Sequence, residues 1–221
     1  LKSFSGSIPW LFSRTRNSRV CLFSTGNLMK GLLQDIRVLD LTRVLAGPYA
    51  SMILADLGAE VFKIELPGQG DEARGFGPFL NGESAYFLSV NRGKKSVTLN
   101  LKHPDGVDIA RRLASRADVV VENYRPGTLE RLGLGYEAVK ERNGGVVYLS
   151  LSGFGQVGPY RDRGAYDVII QAMSGLMGIT GPAGGSPTRV GASLGDLVPA
   201  LYATVAVLAA LRHRERAGEG C

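Results

Sequence analysis

Apolar and polar positions along residues 35–221 alternate between two periods. Ile36-Arg-Val-Leu-Asp-Leu41, Glu60-Val-Phe-Lys-Ile-Glu65 and Ser96-Val-Thr-Leu-Asn-Leu101 read as strands. Asp118-Val-Val-Val-Glu122 and Gly145-Val-Val-Tyr-Leu-Ser-Leu151 are near-continuous apolar runs, as strands buried on both faces require. Between them lie helical stretches. Tyr49–Leu57 is opened by Gly47-Pro48 and stopped by Gly58, and Pro104–Ala117 follows the third strand. A helix starts at Thr128 and ends near Gly133, and a shorter one covers Tyr136–Glu141. Asp167–Met177 and Asp196–Arg214 complete the series. Strands spaced by helices of this length predict a doubly wound, mostly parallel, Rossmann-like α/β sheet covered on both faces. Ligands of such sheets sit beyond the C-terminal strand ends, here the loops 42–47, 66–80, 122–127, 152–166 and 181–196.

Charge divides the chain in two. Of the 221 residues, the first 34 contain Lys2, Arg14, Arg16, Arg19 and Lys30 and no acid, while the rest is almost balanced. Six serines stand by residue 26, among them Ser3, Ser13 and Ser24. A basic, Ser-rich, acid-free leader with scattered apolar residues has the composition of a mitochondrial presequence. Residues 1–32 are therefore expected to target the matrix, and residues 33–221 to form the folded part. Because the excess charge belongs to the leader, a nucleic-acid partner is not expected. Leu197–Leu211 contains Pro199 and falls short of the ~20 apolar residues of a membrane span, so it predicts a buried core helix and no membrane partner. Two cysteines near the two ends and two histidines suggest neither a metal site nor a Cys–His nucleophile.

The loops narrow the chemistry. The turn after the first strand, Thr42-Arg-Val-Leu-Ala-Gly-Pro48, lacks Gly-x-Gly-x-x-Gly, and the chain has neither a P-loop nor Gly-x-Ser-x-Gly. Arg92-Gly-Lys-Lys95, with Lys102 beyond, is either a solvated charged turn or a site for ligand phosphates, assisted by Arg131 at a helix start. Asn123-Tyr-Arg-Pro-Gly127 is a plain turn or places Asn123 against a ligand amide. Asp196, in Ser193-Leu-Gly-Asp196, suits the N-cap of the long helix. The same position suits a functional carboxylate kept ionised by the helix end, near an ordinary pKa of ~3.9 and nucleophilic without a histidine. Asp167 likewise suits a cap.

Several motifs carry a resemblance in unbroken order: Arg43-Val-Leu-Ala-Gly-Pro48, Asp56-Leu-Gly-Ala-Glu60, Lys63-Ile-Glu65, Asn91-Arg-Gly-Lys-Lys-Ser96, Val121-Glu-Asn-Tyr124, Ser152-Gly-Phe-Gly-Gln156 and Gly195-Asp196. The set resembles the class III CoA-transferases, which include formyl-CoA transferase, carnitine CoA-transferase and α-methylacyl-CoA racemase. Leu88-Ser-Val-Asn-Arg92 and Ser174-Gly-Leu-Met177 point to the branch that passes CoA from succinyl-CoA to glutarate. The resemblance implies Asp196 as nucleophile, forming an aspartyl-CoA thioester, with Asp167 as the family's second active-site acid. It places the CoA contacts on Leu45, Ala46, Leu99, Lys102, Asn123 and Arg131. CoA is then substrate and product, with no tightly bound cofactor, and the partners are acyl-CoA, a dicarboxylate and a second copy in an interlocked homodimer.

The chain departs from the family in places. Where the racemase has Gly-His-Asp it has Ala165-Tyr166-Asp167, so one base of a two-base proton shuttle is missing. Leu45 replaces the glutamine of the formyl-CoA enzyme, and Leu66 replaces a common arginine. The sequence stops at Gly218-Glu-Gly-Cys221, about halfway along a family chain, without the smaller domain and the glycine-rich loop. The alternative expectation is therefore a shortened, inactive module that binds CoA or a full-length partner.

Overall fold

A computed structural model describes residues 31–221. The expected presequence thus lies almost wholly outside the described residues. Five parallel strands form one sheet in the order β5-β2-β1-β6-β7. They are β1 (Arg37–Asp40), β2 (Glu60–Glu65), β5 (Lys95–Thr98), β6 (Val119–Glu122) and β7 (Val147–Ser150). A two-residue-per-strand hairpin, β3 (Phe79–Leu80) and β4 (Glu83–Ser84), stands apart from it. The α/β class and the parallel pairing agree with the apolar runs: Val119, Val120 and Val121 are fully buried because both faces of β6 are covered.

On one face α1 (Ala46–Asp56) and α7 (Leu194–Ala217) pack on Val38, Val61, Val119 and Val121 through Leu54, Val207 and Leu211. On the other, α3 (Pro104–Ala114), α4 (Thr128–Arg131) and α5 (Tyr136–Lys140) cover Leu39, Ile64 and Val120. α2 (Ala85–Asn91) and α6 (Asp167–Met173) flank the C-terminal strand ends. The chain runs outward through β1, β2 and β5, then returns to the other side of β1 with β6 and β7. The direction reverses between β1 and β6, which opens a crevice beyond their carboxyl ends.

Three expectations need correction. The expected loop 66–80 holds a 3-10 turn (Glu72–Gly75) and the first strand of the hairpin, and it is followed by β4 and by α2, whose first turn is capped by Ser84 accepting from the Phe87 N–H at 3.0 Å. The helix read from Asp167 to Met177 ends at Met173, because Gly175 takes the left-handed conformation (φ 81) and a 3-10 turn follows. The long helix is not wholly buried. Ala200, Ala203, Thr204, Val207 and Leu211 face the core, while Val198, Leu201, Tyr202 and Val205 are exposed. By length and composition α7 is apolar enough to cross a membrane; in this fold it covers the sheet.

Charges buried beneath the crevice hold its loops. Asp40 accepts from Thr42 N–H (2.8 Å), Ser51 Oγ (2.7 Å) and Lys94 Nζ (3.0 Å). Burial alone would raise its pKa, but Lys94, Lys63 and the two hydroxyls outweigh it and hold the group at about 2. Glu65, bridged to Arg74 at 2.6 and 2.8 Å and to Ser96, is also held at about 2 against its burial. Both carboxyls are depressed in the fold, so their stabilisation is complete above the unfolded pKa of ~4 and drains away as pH falls toward about 2. Urea unfolding followed from pH 6 to pH 2.5 should therefore show stability dropping below ~pH 4.5, with a shallower fall in Asp40→Asn. An equal slope in the two proteins would contradict this origin.

Candidate active site

The crevice holds two joined clefts. The first, about 480 Å³, is lined by Leu99, Leu101, Lys102, Tyr124, Arg131 and Gln69. The second, about 670 Å³, is lined by Leu45, Ala46, Phe76, Asn123, Arg163, Tyr166 and Asp196. Arg43, Glu72 and Tyr124 line both, so the two clefts adjoin at these residues. At this junction the Arg43 guanidinium lies 4.8 Å from the Tyr124 ring centroid and 2.8 Å from Glu72 Oε1. Six sequence-predicted contact residues thus fall along one groove: Leu99, Lys102 and Arg131 in its first part, Leu45, Ala46 and Asn123 in its second. Arg131 is the last residue of α4 rather than near its start, because that helix is a single turn.

The cluster Arg92–Lys95 does not join the groove. Lys94 is buried and donates to Asp40, to the Pro48 carbonyl (2.9 Å) and to Asn91 Oδ1 (2.8 Å). Burial lowers its pKa, with Asp40 opposing. Arg92 pairs with Asp56, and Lys95 with Glu60. The solvated charged turn describes the exposed Arg92 and Lys95, but not the buried Lys94. The segment anchors α1, α2 and β5 to one another.

Asp196 and Asp167 divide the two roles that the sequence left open. The first turn of α7 leaves backbone N–H groups without partners in its own helix. Ser193, the residue at the cap, makes no side-chain bond there. Asp167, the first residue of α6, supplies it instead: its Oδ1 accepts from the Gly195 N–H at 2.9 Å. The approach is close enough that a Cβ on Gly195 would sit 3.2 Å from that oxygen and 3.1 Å from Ile170 Cβ, so a side chain there would have to push both aside. Asp167 also accepts from Gln171 Nε2 (3.0 and 2.9 Å) and from Arg189 Nη2 (2.9 Å). Burial pushes it up, yet these donors outweigh burial and hold its carboxyl below the usual range. With donors on both oxygens, Asp167 holds the start of α7 in place while lining the smaller cavity that Asp196 also borders.

Asp196 is the reverse case. It is the third residue of α7, not its cap, and its side chain lines the second cleft and a smaller cavity shared with Ala46, Tyr166 and Pro199. Burial raises its pKa, the nearby Asp167 charge adds to the rise, and Arg189 partly offsets both. The sequence-based expectation of an ordinary pKa is thereby corrected: desolvation outweighs the helix end. Sequence reasoning also missed Glu72, Arg189 and Tyr86. The Tyr86 phenol is pushed up by burial and by the charges of Asp196 and Asp71. No local pattern marks these residues: Glu72 lines both clefts, and Arg189 acts through its bond to Asp167.

The fold and the site define an α/β protein with a ligand crevice at the switch point of its sheet, where Asp196 faces the second cleft. The sequence profile described as CoA-transferase family III matches residues 33–221, and the chain belongs to that family. It is 54% identical over 189 residues to succinyl-CoA:glutarate CoA-transferase of Mus musculus, covering 85% of this chain and 43% of that one. To the Homo sapiens protein of the same name it is 48% identical over 217 residues, covering 91% and 50%. Among solved structures, a CAIB/BAIF family protein from Brucella suis superposes with TM-score 0.83 at 41% identity, covering 87% of this chain and 52% of that one. Rv3272 from M. tuberculosis superposes with TM-score 0.80 at 42% identity, covering 86% and 53%. The chain spans about half the length of the curated relatives it matches.

Proposed function

We propose that this chain carries the CoA groove and the nucleophile of an enzyme that moves CoA from succinyl-CoA to glutarate. The observation that carries the reading is the pair of adjoining clefts, one lined by Lys102 and Arg131 and the other by Asp196, with Arg43 and Tyr124 in the wall of both. Cations of the first cleft suit the phosphates of CoA, and the carboxylate of the second suits its thioester. One Asp196 oxygen attacks the succinyl carbonyl, the C–S bond breaks, and CoA leaves as thiolate, giving an aspartyl–succinyl anhydride. The thiolate adds to the aspartyl carbonyl and expels succinate, leaving an aspartyl-CoA thioester. A glutarate carboxylate then displaces the thiolate, and thiolate attack on the glutaryl carbonyl releases glutaryl-CoA and restores Asp196. Each step exchanges one activated acyl group for another, so no proton-shuttling histidine is needed.

The reading extends to a homodimer, and to the mitochondrial matrix through the basic leader. Its test is direct. Incubation with succinyl-CoA followed by hydroxylamine should place a hydroxamate on Asp196, located by peptide mass spectrometry. A second reading, an inactive module that binds CoA or a full-length partner, is favoured by the exposed apolar residues of α7, Val198, Leu201, Tyr202 and Val205. CoA binding without any adduct, together with co-elution with a longer copy, selects that alternative.

A further inference from the structure

Val44 is a β-branched residue in the left-handed region, with φ 67. That conformation costs of order 1–3 kcal/mol and persists only where the surroundings impose it. Here both peptide units that precede it are held at each end. In the first, the Thr42 carbonyl accepts from Lys63 Nζ at 2.8 Å and the Arg43 N–H donates to Asn123 Oδ1 at 2.8 Å. In the second, the Arg43 carbonyl accepts from Asn123 Nδ2 at 2.7 Å and the Val44 N–H donates to Asp71 Oδ1 at 3.1 Å. Past Val44 the chain enters α1, where the Leu45 carbonyl takes the Tyr49 N–H at 2.8 Å. Asn123 thus spends both ends of its amide on the backbone of a neighbouring loop, although its sequence position suggested a ligand contact.

We infer that Asn123 is a positioning residue: with Asp71 it clamps the Arg43–Val44 turn in its left-handed form, so that Leu45 and Ala46 face Asp196 across the second cleft. The inference rests on the reading of Asp196 as nucleophile. It concerns β6 acting on the β1 loop, the two strands between which the sheet changes direction. Asp71 is the less suitable probe, because it sits in a fully buried pair with Lys63.

A double-mutant cycle on the 221-residue chain tests it, read as the rate of hydroxylamine-trapped adduct on Asp196 at saturating succinyl-CoA. With Val44 present, Asn123→Ala should slow the adduct about tenfold, the equivalent of ~1.4 kcal/mol. In a Val44→Gly background the same change should cost no more than about twofold, because glycine holds a positive φ without a clamp. Should Asn123→Ala fail to fold, Asn123→Asp enters the same cycle, keeping the acceptor for Arg43 N–H while replacing the donor with a charged oxygen that faces the Arg43 carbonyl. Equal losses in the two backgrounds overturn the clamp and return Asn123 to direct ligand contact. No adduct on the unsubstituted chain is a separate failure, removing the Asp196 reading on which the clamp depends.

Discussion

Asp196→Ala will abolish the succinyl-CoA-dependent adduct, lowering its rate by about 10³-fold or more, while CoA affinity stays within about twofold. The asymmetry follows from geometry: Asp196 lines the second cleft, and Lys102 and Arg131, which suit the phosphates, line the first. Asp196→Asn is the sharper variant, since it keeps the volume and removes the negative charge that attacks the carbonyl. The pH dependence carries a sign. Burial and Asp167 raise the Asp196 pKa, so the reactive carboxylate is lost, as pH falls, earlier than for an ordinary aspartate. Removing the opposing cation with Arg189→Ala should move that acid limb further up. Stopped-time trapping between pH 3.5 and 8, with calorimetric CoA binding alongside, measures both effects. A full adduct yield in Asp196→Asn would move the nucleophile elsewhere.

The second large effect is on stability. Lys63 and Asp71 form an ion pair at 2.8 Å with both side chains about 1% exposed. Lys63→Met leaves the Asp71 charge buried without its partner, and should cost about 3–5 kcal/mol in guanidinium unfolding. Adding Asp71→Asn removes that charge but keeps an oxygen for the Val44 and Ala73 N–H groups. The double variant should therefore regain most of the loss. If it is no more stable than Lys63→Met alone, the cost belongs to the lysine's bond with the Thr42 carbonyl and not to the stranded charge.

Legibility differed between elements for physical reasons. β6 could be read directly because a strand buried on both faces must be apolar throughout, and Val119–Val121 are. α2 was missed because it is only seven residues long and held by Ser84, the hairpin and the 3-10 turn rather than by a strong apolar stripe of its own. The motif residues Lys63, Glu65 and Lys94 were visible as a pattern, but their role was not. Each is buried against a partner that a linear reading cannot place beside it.

The five strands of the sheet, their parallel class and the helices that cover them were determined by the sequence alone, because burial on one or two faces imposes periodicities that survive in one dimension. Which aspartate caps α7 and which faces the cleft was decided only in three dimensions. Local rules assign a cap to the nearest acid, Asp196, whereas the Gly195 N–H is taken by Asp167 from another helix, 28 positions earlier. The same holds for Asn123 and Arg43, 80 positions apart and joined across the strands where the sheet reverses.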